Sequence, residues 1–216
     1  MVFALINDPD ADRHAIVDGT IPRPEQVRLI EGTNEEEPWN VLSVNQNLAL
    51  LSQYLLQQAF NRWVKSRDPA FARRLNAFLD ERDVRQDPDY QAYRQAFLQV
   101  HPYRLARTLP TSHLTDAIAR LWGILGTEGR IIEVPVGFKY FNNYVQDAVE
   151  RMTLLAAGEE SGGMSFRGPE GFIHGNKDGI LANLKMLELM AVTGESLSAL
   201  LDRLQADEEI SHHAYD

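Results

Sequence analysis

The sequence contains no cysteine. That excludes disulfides, thiolate nucleophiles and thiolate metal centres, and it fits the expectation of a cytoplasmic protein. No apolar run reaches transmembrane length, and no basic segment followed by an apolar core opens the chain. Neither a membrane span nor a secretory leader is therefore expected. Basic residues are the minority, 21 Lys and Arg against 31 Asp and Glu, for a formal charge of −10. With no basic stripe or cluster, nucleic acid is not an expected partner. Internal repeats and low-complexity segments are missing as well.

What remains is ordinary for a soluble globular chain: 44% hydrophobic and 24% charged among 216 residues. That length suits one domain with a substantial core, or one domain and part of another. Residues 1–6 are a continuous apolar run that ends on Asn7 and Asp8, and a second short apolar segment follows at 15–17. They predict a buried strand, an acidic loop and a strand. Residues 1–18 read as the tail of a preceding domain, because a domain seldom opens on a buried strand with no partners of its own. Residues 19–41, with Pro22, Pro24, Gly32, Pro38 and three consecutive glutamates, read as a linker.

A helix is expected from Val44, with Leu48, Leu51, Leu55, Ala59 and Trp63 along one face. Two more helical patterns, around 71–79 and 90–100, are dense in both charge signs, as a solvated helical excursion would be. A regular alternation follows. A strand over 103–109 leads to a helix capped by Thr111 or Ser112, which runs to about Leu125 with Gly126 beyond it. A strand over 130–136 comes next, and then a segment over 141–154 that is helical at its start and strand at its close. Residues 164–167 would complete a hairpin. Asp178 would cap a helix over 179–192 ending near Gly194, and Ser196 a last helix reaching Gln205. Residues 206–216, with His212 and His213, read as a flexible tail. The alternation predicts an α/β fold over 42–205: a three-layer α/β/α sandwich with a mainly parallel, mixed sheet, plus the helical excursion. Right-handed crossovers would place the loops that follow the strands at one edge of the sheet.

Two of the loops carry chemistry. Asp8, Asp10 and Asp12 alternate, so in an extended loop their side chains can converge on one hard cation, and oxygen ligands suit Mg²⁺. An EF-hand would need Gly where Arg13 stands and Glu where Gly19 stands, so that reading fails. An aspartyl-nucleophile phosphatase lacks its complement later in the chain, and an acidic turn without metal is the plain alternative. In the second loop, an apolar run over 154–157 ends in Gly158, Glu159, Glu160, Ser161, Gly162 and Gly163. Carboxylates accept and serine both donates and accepts, which is equipment for gripping sugar hydroxyls.

Three ordered stretches resemble the α-D-phosphohexomutase superfamily, the phosphoglucomutases and phosphomannomutases. They are NDPDADRH at 7–14, VPVGFKYF at 134–141, and GEESGG at 158–163 followed by KDGI at 177–180. The resemblance implies a fragment covering the end of domain two and all of domain three, with about 62–101 as a helical insertion. It implies Mg²⁺ on Asp8, Asp10 and Asp12, Arg13 near the transferred phosphoryl group, and Glu159 and Ser161 on sugar hydroxyls. Lys139 would contact substrate oxygens or move a proton, and Arg107, before a helix cap, would face the site. Gly163 stands where the family often has Ala or His.

The implied reaction moves phosphate between C1 and C6 of a hexose through a phosphoserine and a hexose 1,6-bisphosphate. The phosphoserine signature is absent here, because Thr111, Ser112 and His113 lack the Asn-Pro that should follow, and so is the last domain's Ser/Thr-Gly-rich phosphate loop. No catalytic residue is therefore assigned to this chain. Its expected partners are hexose phosphate and domains one, two and four of a parent enzyme, without which the chain would be inactive. A free-standing module that binds a sugar phosphate or another protein is the alternative.

Overall fold

A computed structural model describes residues 3–19, 40–124, 131–148, 150–168, 171, 173 and 176–211. Two sheets organise it. The first is antiparallel, in the order β1 (Phe3–Asn7), β2 (His14–Asp18), β3 (Asn40–Leu42). The second has four strands, in the order β5 (Ile132–Val134), β4 (Arg104–Thr108), β6 (Leu154–Gly158), β7 (Met164–Phe166). Strands β4, β5 and β6 are parallel, and β7 returns antiparallel to β6.

Successive strand residues point to opposite faces, save at an irregularity where β6 passes Arg104 and Leu105, so each face of the second sheet carries its own core. Leu105, Leu155 and Phe166 face the large core beneath α1 (Val44–Lys65), α5 (Leu114–Trp122), α8 (Gly179–Thr193) and α9 (Leu197–Ala206). Ala106, Ile132, Val134, Leu154 and Ala157 face a smaller core closed by Phe138 and Phe141 of a 3-10 turn, with Tyr144 and Val145 of α6 (Asn142–Gln146) against it. The result is the expected three-layer α/β/α arrangement with a mixed sheet. Among the described residues, no helix is long and apolar enough to cross a membrane.

Helix α1 starts where the sequence places it. Ser43 Oγ accepts from Gln46 N, and Gln46 Oε1 accepts from Ser43 N, a capping box. The expected helix around 71–79 is shorter. Only α2 (Pro69–Ala72) forms, and 73–81 are turns, followed by α3 (Arg82–Gln86) and α4 (Pro88–Val100). Asn76 and Asp80 supply the reason. Asp80 Oδ1 accepts from Asn76 N at 2.6 Å, and Asn76 Oδ1 accepts from Phe78 N at 2.9 Å, so side chains take the amides a helix would need. Buried Gln57 and Gln53 of α1 then tie this turn down, through Asp80 and the Phe78 carbonyl.

Other elements differ in detail. β1 was expected to be buried, but it is an edge strand with Ala4, Ile6 and Asn7 toward solvent. β3 draws Asn40 and Val41 out of the expected linker, of which 20–39 lies outside the described residues. Helix α5 ends at Gly123, whose φ of 68° is the left-handed closure glycine allows. Leu125, Gly126 and Arg130 lie outside the described residues. The first residues of the expected flexible tail are packed: Glu208–Ser211 forms a short helix with Ile210 buried, held by Arg82 to Glu208 and Arg85 to Asp207. His212 and His213 are outside the described residues.

Candidate functional site

The loop joining β1 to β2 carries the three alternating aspartates, and it is built around Asp8. Asp8 Oδ1 accepts from Arg13 N at 3.0 Å, and Asp8 Oδ2 lies 2.7 Å from Arg13 Nε. The Arg13 amide lowers the Asp8 carboxyl most; burial opposes it, and the Arg13 guanidinium and Asp10 help carry it down to about 2. One carboxylate oxygen from each of Asp8, Asp10 and Asp12 lies within 4.8 Å of the others. Asp12 Oδ1 is buried without a hydrogen-bond partner, 3.4 Å from Arg13 Nε. Three carboxylates, one with an unused buried acceptor, make an oxygen-rich donor set that fits a hard divalent cation.

The loop after β6 meets this one directly. Arg13 forms a β-bridge with Gly163, and the His14 N–H donates to the Gly162 carbonyl at 3.4 Å. His14 Nδ1 faces the same carbonyl at 3.2 Å, while burial holds the imidazole below its ordinary value. Gly162 has φ 100°, a conformation that side-chain-bearing residues resist. Glu159 is buried at 4% exposure and accepts from Ser161 Oγ at 2.6 Å. Glu160 points elsewhere: it accepts from Thr108 Oγ1 at 2.7 Å, which pins the loop to the end of β4.

Lys177, in the KDGI stretch and not among the expected site residues, links the two loops. Its Nζ lies 2.5 Å from Glu159 Oε1 and 3.6 Å from Asp12 Oδ2. Burial pulls its pKa down, but the two carboxylates more than offset this and leave it raised, so the ammonium stays charged. Gly163 makes room for it: a Cβ there would stand 2.4 Å from Lys177 Cδ. Asp12, Lys177, Lys139, Phe138, Asn142 and Asn176 line one open cleft of about 400 Å³. Lys139 reaches the cleft from the 3-10 turn after β5, at the same sheet edge as Glu159. Of the expected site residues, Asp12 and Lys139 line this cleft; Asp8, Asp10 and Arg13 share the loop of Asp12, Glu159 reaches the cleft's edge through Lys177, and Ser161 is bonded to Glu159. The signal that could have singled out Lys177 is its place just before the Asp178 N-cap, where α8 starts beside the acidic loop.

Arg107 is not brought there. It is 1% exposed, and its guanidinium is taken up by Asp116 at 2.7 Å, Glu133 at 2.9 Å, His113 Nδ1 at 2.9 Å and the Thr108 carbonyl at 3.2 Å. Burying a guanidinium demands such partners, so it serves the β4–β5–α5 junction. Thr111 and Ser112 are likewise structural: Thr111 Oγ1 pairs with Thr108 Oγ1, and Ser112 Oγ accepts from Leu114 N.

Residues 90–207 match the family model described as phosphoglucomutase/phosphomannomutase, alpha/beta/alpha domain III. A phosphoglucomutase of Komagataeibacter xylinus is 27% identical over 192 residues, which are 88% of this chain and 23% of that protein. Two crystal structures share the fold. One, of a protein assigned as a phosphomannomutase from Thermus thermophilus, has a TM-score of 0.55 at 22% identity and is matched over 97% of this chain and 31% of its own. The other, pp63/parafusin (phosphoglucomutase) from Paramecium in its open form, has a TM-score of 0.52 at 19% identity and is matched over 95% and 24%. The chain spans less than a third of each of these relatives.

Proposed function

The chain belongs to the phosphoglucomutase/phosphomannomutase family, and from that premise we propose that it forms part of an enzyme moving a phosphoryl group between C1 and C6 of a hexose. One observation carries this reading: Lys177 sits 2.5 Å from Glu159 and 3.6 Å from Asp12, so one ammonium joins the GEESGG loop to the acidic loop at the edge of the cleft that Asp12, Lys139 and Lys177 line. Asp8, Asp10 and Asp12 would hold Mg²⁺, which would offset charge on phosphoryl oxygens. Glu159 and Ser161 would accept from and donate to sugar hydroxyls. Lys139 and Lys177 would hold phosphate oxygens at the cleft, and Arg13 would lie toward the transferred group.

The donor is a phosphoserine carried by polypeptide beyond this chain. The hexose phosphate takes the phosphoryl group and becomes a 1,6-bisphosphate. The bisphosphate reorients and returns its other phosphoryl group to the serine, so phosphate is conserved over the cycle. Glucose 1,6-bisphosphate serves in this scheme as activator and intermediate, and the absence of cysteine suits a cytoplasmic setting. The test is a calorimetric titration of the chain with glucose 1,6-bisphosphate, with and without Mg²⁺, beside Glu159→Ala. Saturable binding that the variant loses supports the site. Equal binding by both proteins, or none by either, overturns it.

Lys177 between Glu159 and Asp12, with Lys139 lining the same cleft, also fits a second reading, a module that binds a sugar phosphate without turning it over. That reading shares the binding result but does not require missing domains to restore activity.

A further inference from the structure

Helix α8 holds the acidic loop at both ends. Asn183, 5% exposed on α8, donates through Nδ2 to the Ile6 carbonyl at 3.1 Å and to Asn7 Oδ1 at 2.9 Å. Asn7 passes the link on: its Nδ2 donates to the Arg13 carbonyl at 2.9 Å. One amide chain therefore runs from the helix to the residue before the aspartates and then to the residue after them. The middle of the loop is tied separately, by the Gly179 N–H, which donates to the Ala11 carbonyl at 3.1 Å.

Ala11 is where a tie is needed. Its φ of 58° is the only left-handed value at a non-glycine among the described residues, and it falls between Asp10 and Asp12. Such a conformation is costly for a residue with a side chain and persists only where its surroundings impose it. Gly179 can impose it because it has no side chain: a Cβ there would stand 2.4 Å from the Arg13 carbonyl oxygen and 2.6 Å from Asn7 Nδ2.

We infer that Asn183, Asn7 and Gly179 are positioning residues that hold Asp8, Asp10 and Asp12 in a cation-binding arrangement. The inference rests on the metal reading above, but its mechanical part stands alone. A short loop with three mutually repelling carboxylates would otherwise spread, and the spacing within 4.8 Å would be lost. Outer-shell hydrogen bonds of this kind are worth roughly 10- to 100-fold in metal affinity.

The experiment uses the whole chain and two readouts: Mn²⁺ titration followed by electron paramagnetic resonance, and amide hydrogen exchange at Ala11 and Arg13. Asn183→Leu removes both donors of the first link. Asn7→Ala removes the second from a solvent-facing position, where folding is least at stake. Leu184→Ala, on the exposed face of α8, is the control. The expected result is Mn²⁺ binding about tenfold weaker in both variants and faster exchange of both amides, with a cooperative melt retained and the control unchanged. Unchanged affinity and unchanged exchange in Asn7→Ala would overturn the inference. If the unaltered chain takes up no Mn²⁺, the metal reading falls, and the exchange rates alone decide whether the clamp exists.

Discussion

Lys177 shows how one side chain serves two loops. Glu159 is almost fully enclosed, and among its contacts Lys177 is the cation. Removing one partner of an enclosed ion pair leaves the other charge without compensation, which is costlier than losing the attraction alone. Because Lys177 is 22% exposed and Ser161 also donates to Glu159, the cost is moderated. Lys177→Met should lower stability by about 2 kcal/mol, read as a shift of the urea midpoint with unchanged slope. It should also abolish the binding of glucose 1,6-bisphosphate. An unshifted midpoint would mean that Ser161 and solvent satisfy Glu159 without the lysine. The site was partly legible at this scale. Asp8, Asp10 and Asp12, like Glu159 and Ser161, sit close together in sequence and on turn-forming backbone, so spacing alone groups them. Lys177 and Asn183 meet their partners only after the chain has folded back on itself, and no local pattern marks such a meeting.

Among the elements, α1 carries the most packing. Phe60 is fully buried and meets Tyr90, Phe97 and Trp122 edge-on, with ring centroids 5.3 to 5.7 Å apart. These rings come from α4 and α5, so one residue joins the 44–101 helices to the sheet domain. Phe60→Ala should destabilise by about 4 kcal/mol, measured by chemical denaturation, because a ring-sized cavity cannot close against three rigid neighbours. A loss below about 1 kcal/mol would show that the surrounding rings collapse into the space Phe60 leaves. The periods of 3.6 and 2 made α1, α4, α8, α9 and the four main strands readable, since apolar spacing follows directly from backbone geometry. They misled at 73–81, where Asn76 and Asp80 capture backbone amides, and at α5, where Gly123 closes the helix before Gly126. In both places one or two polar or small residues outweigh the apolar pattern.

At the scale of the molecule, the acidic loop belongs to one sheet and the GEESGG loop to the other. The two sheets are joined through the Arg13–Gly163 bridge, the Lys177 pairings and α8. Since the chain spans less than a third of its relatives, the proposed reaction predicts negligible mutase turnover by the chain alone. A coupled assay with glucose 1,6-bisphosphate and Mg²⁺ checks this, and clear Mg²⁺-dependent turnover would refute it.

The sequence by itself determined the order of the main strands and helices, the α/β class and the residue types on each loop. These follow from local backbone preferences and from apolar periodicity, which act over a few residues at a time. Only the tertiary structure decided that Lys177 bridges Asp12 and Glu159, that Arg107 is spent on Asp116 and Glu133, and that α8 grips the loop of aspartates. Each of those outcomes is a contact of a few ångströms between residues on different elements. Which such pairs meet is set by packing the whole chain around its two cores.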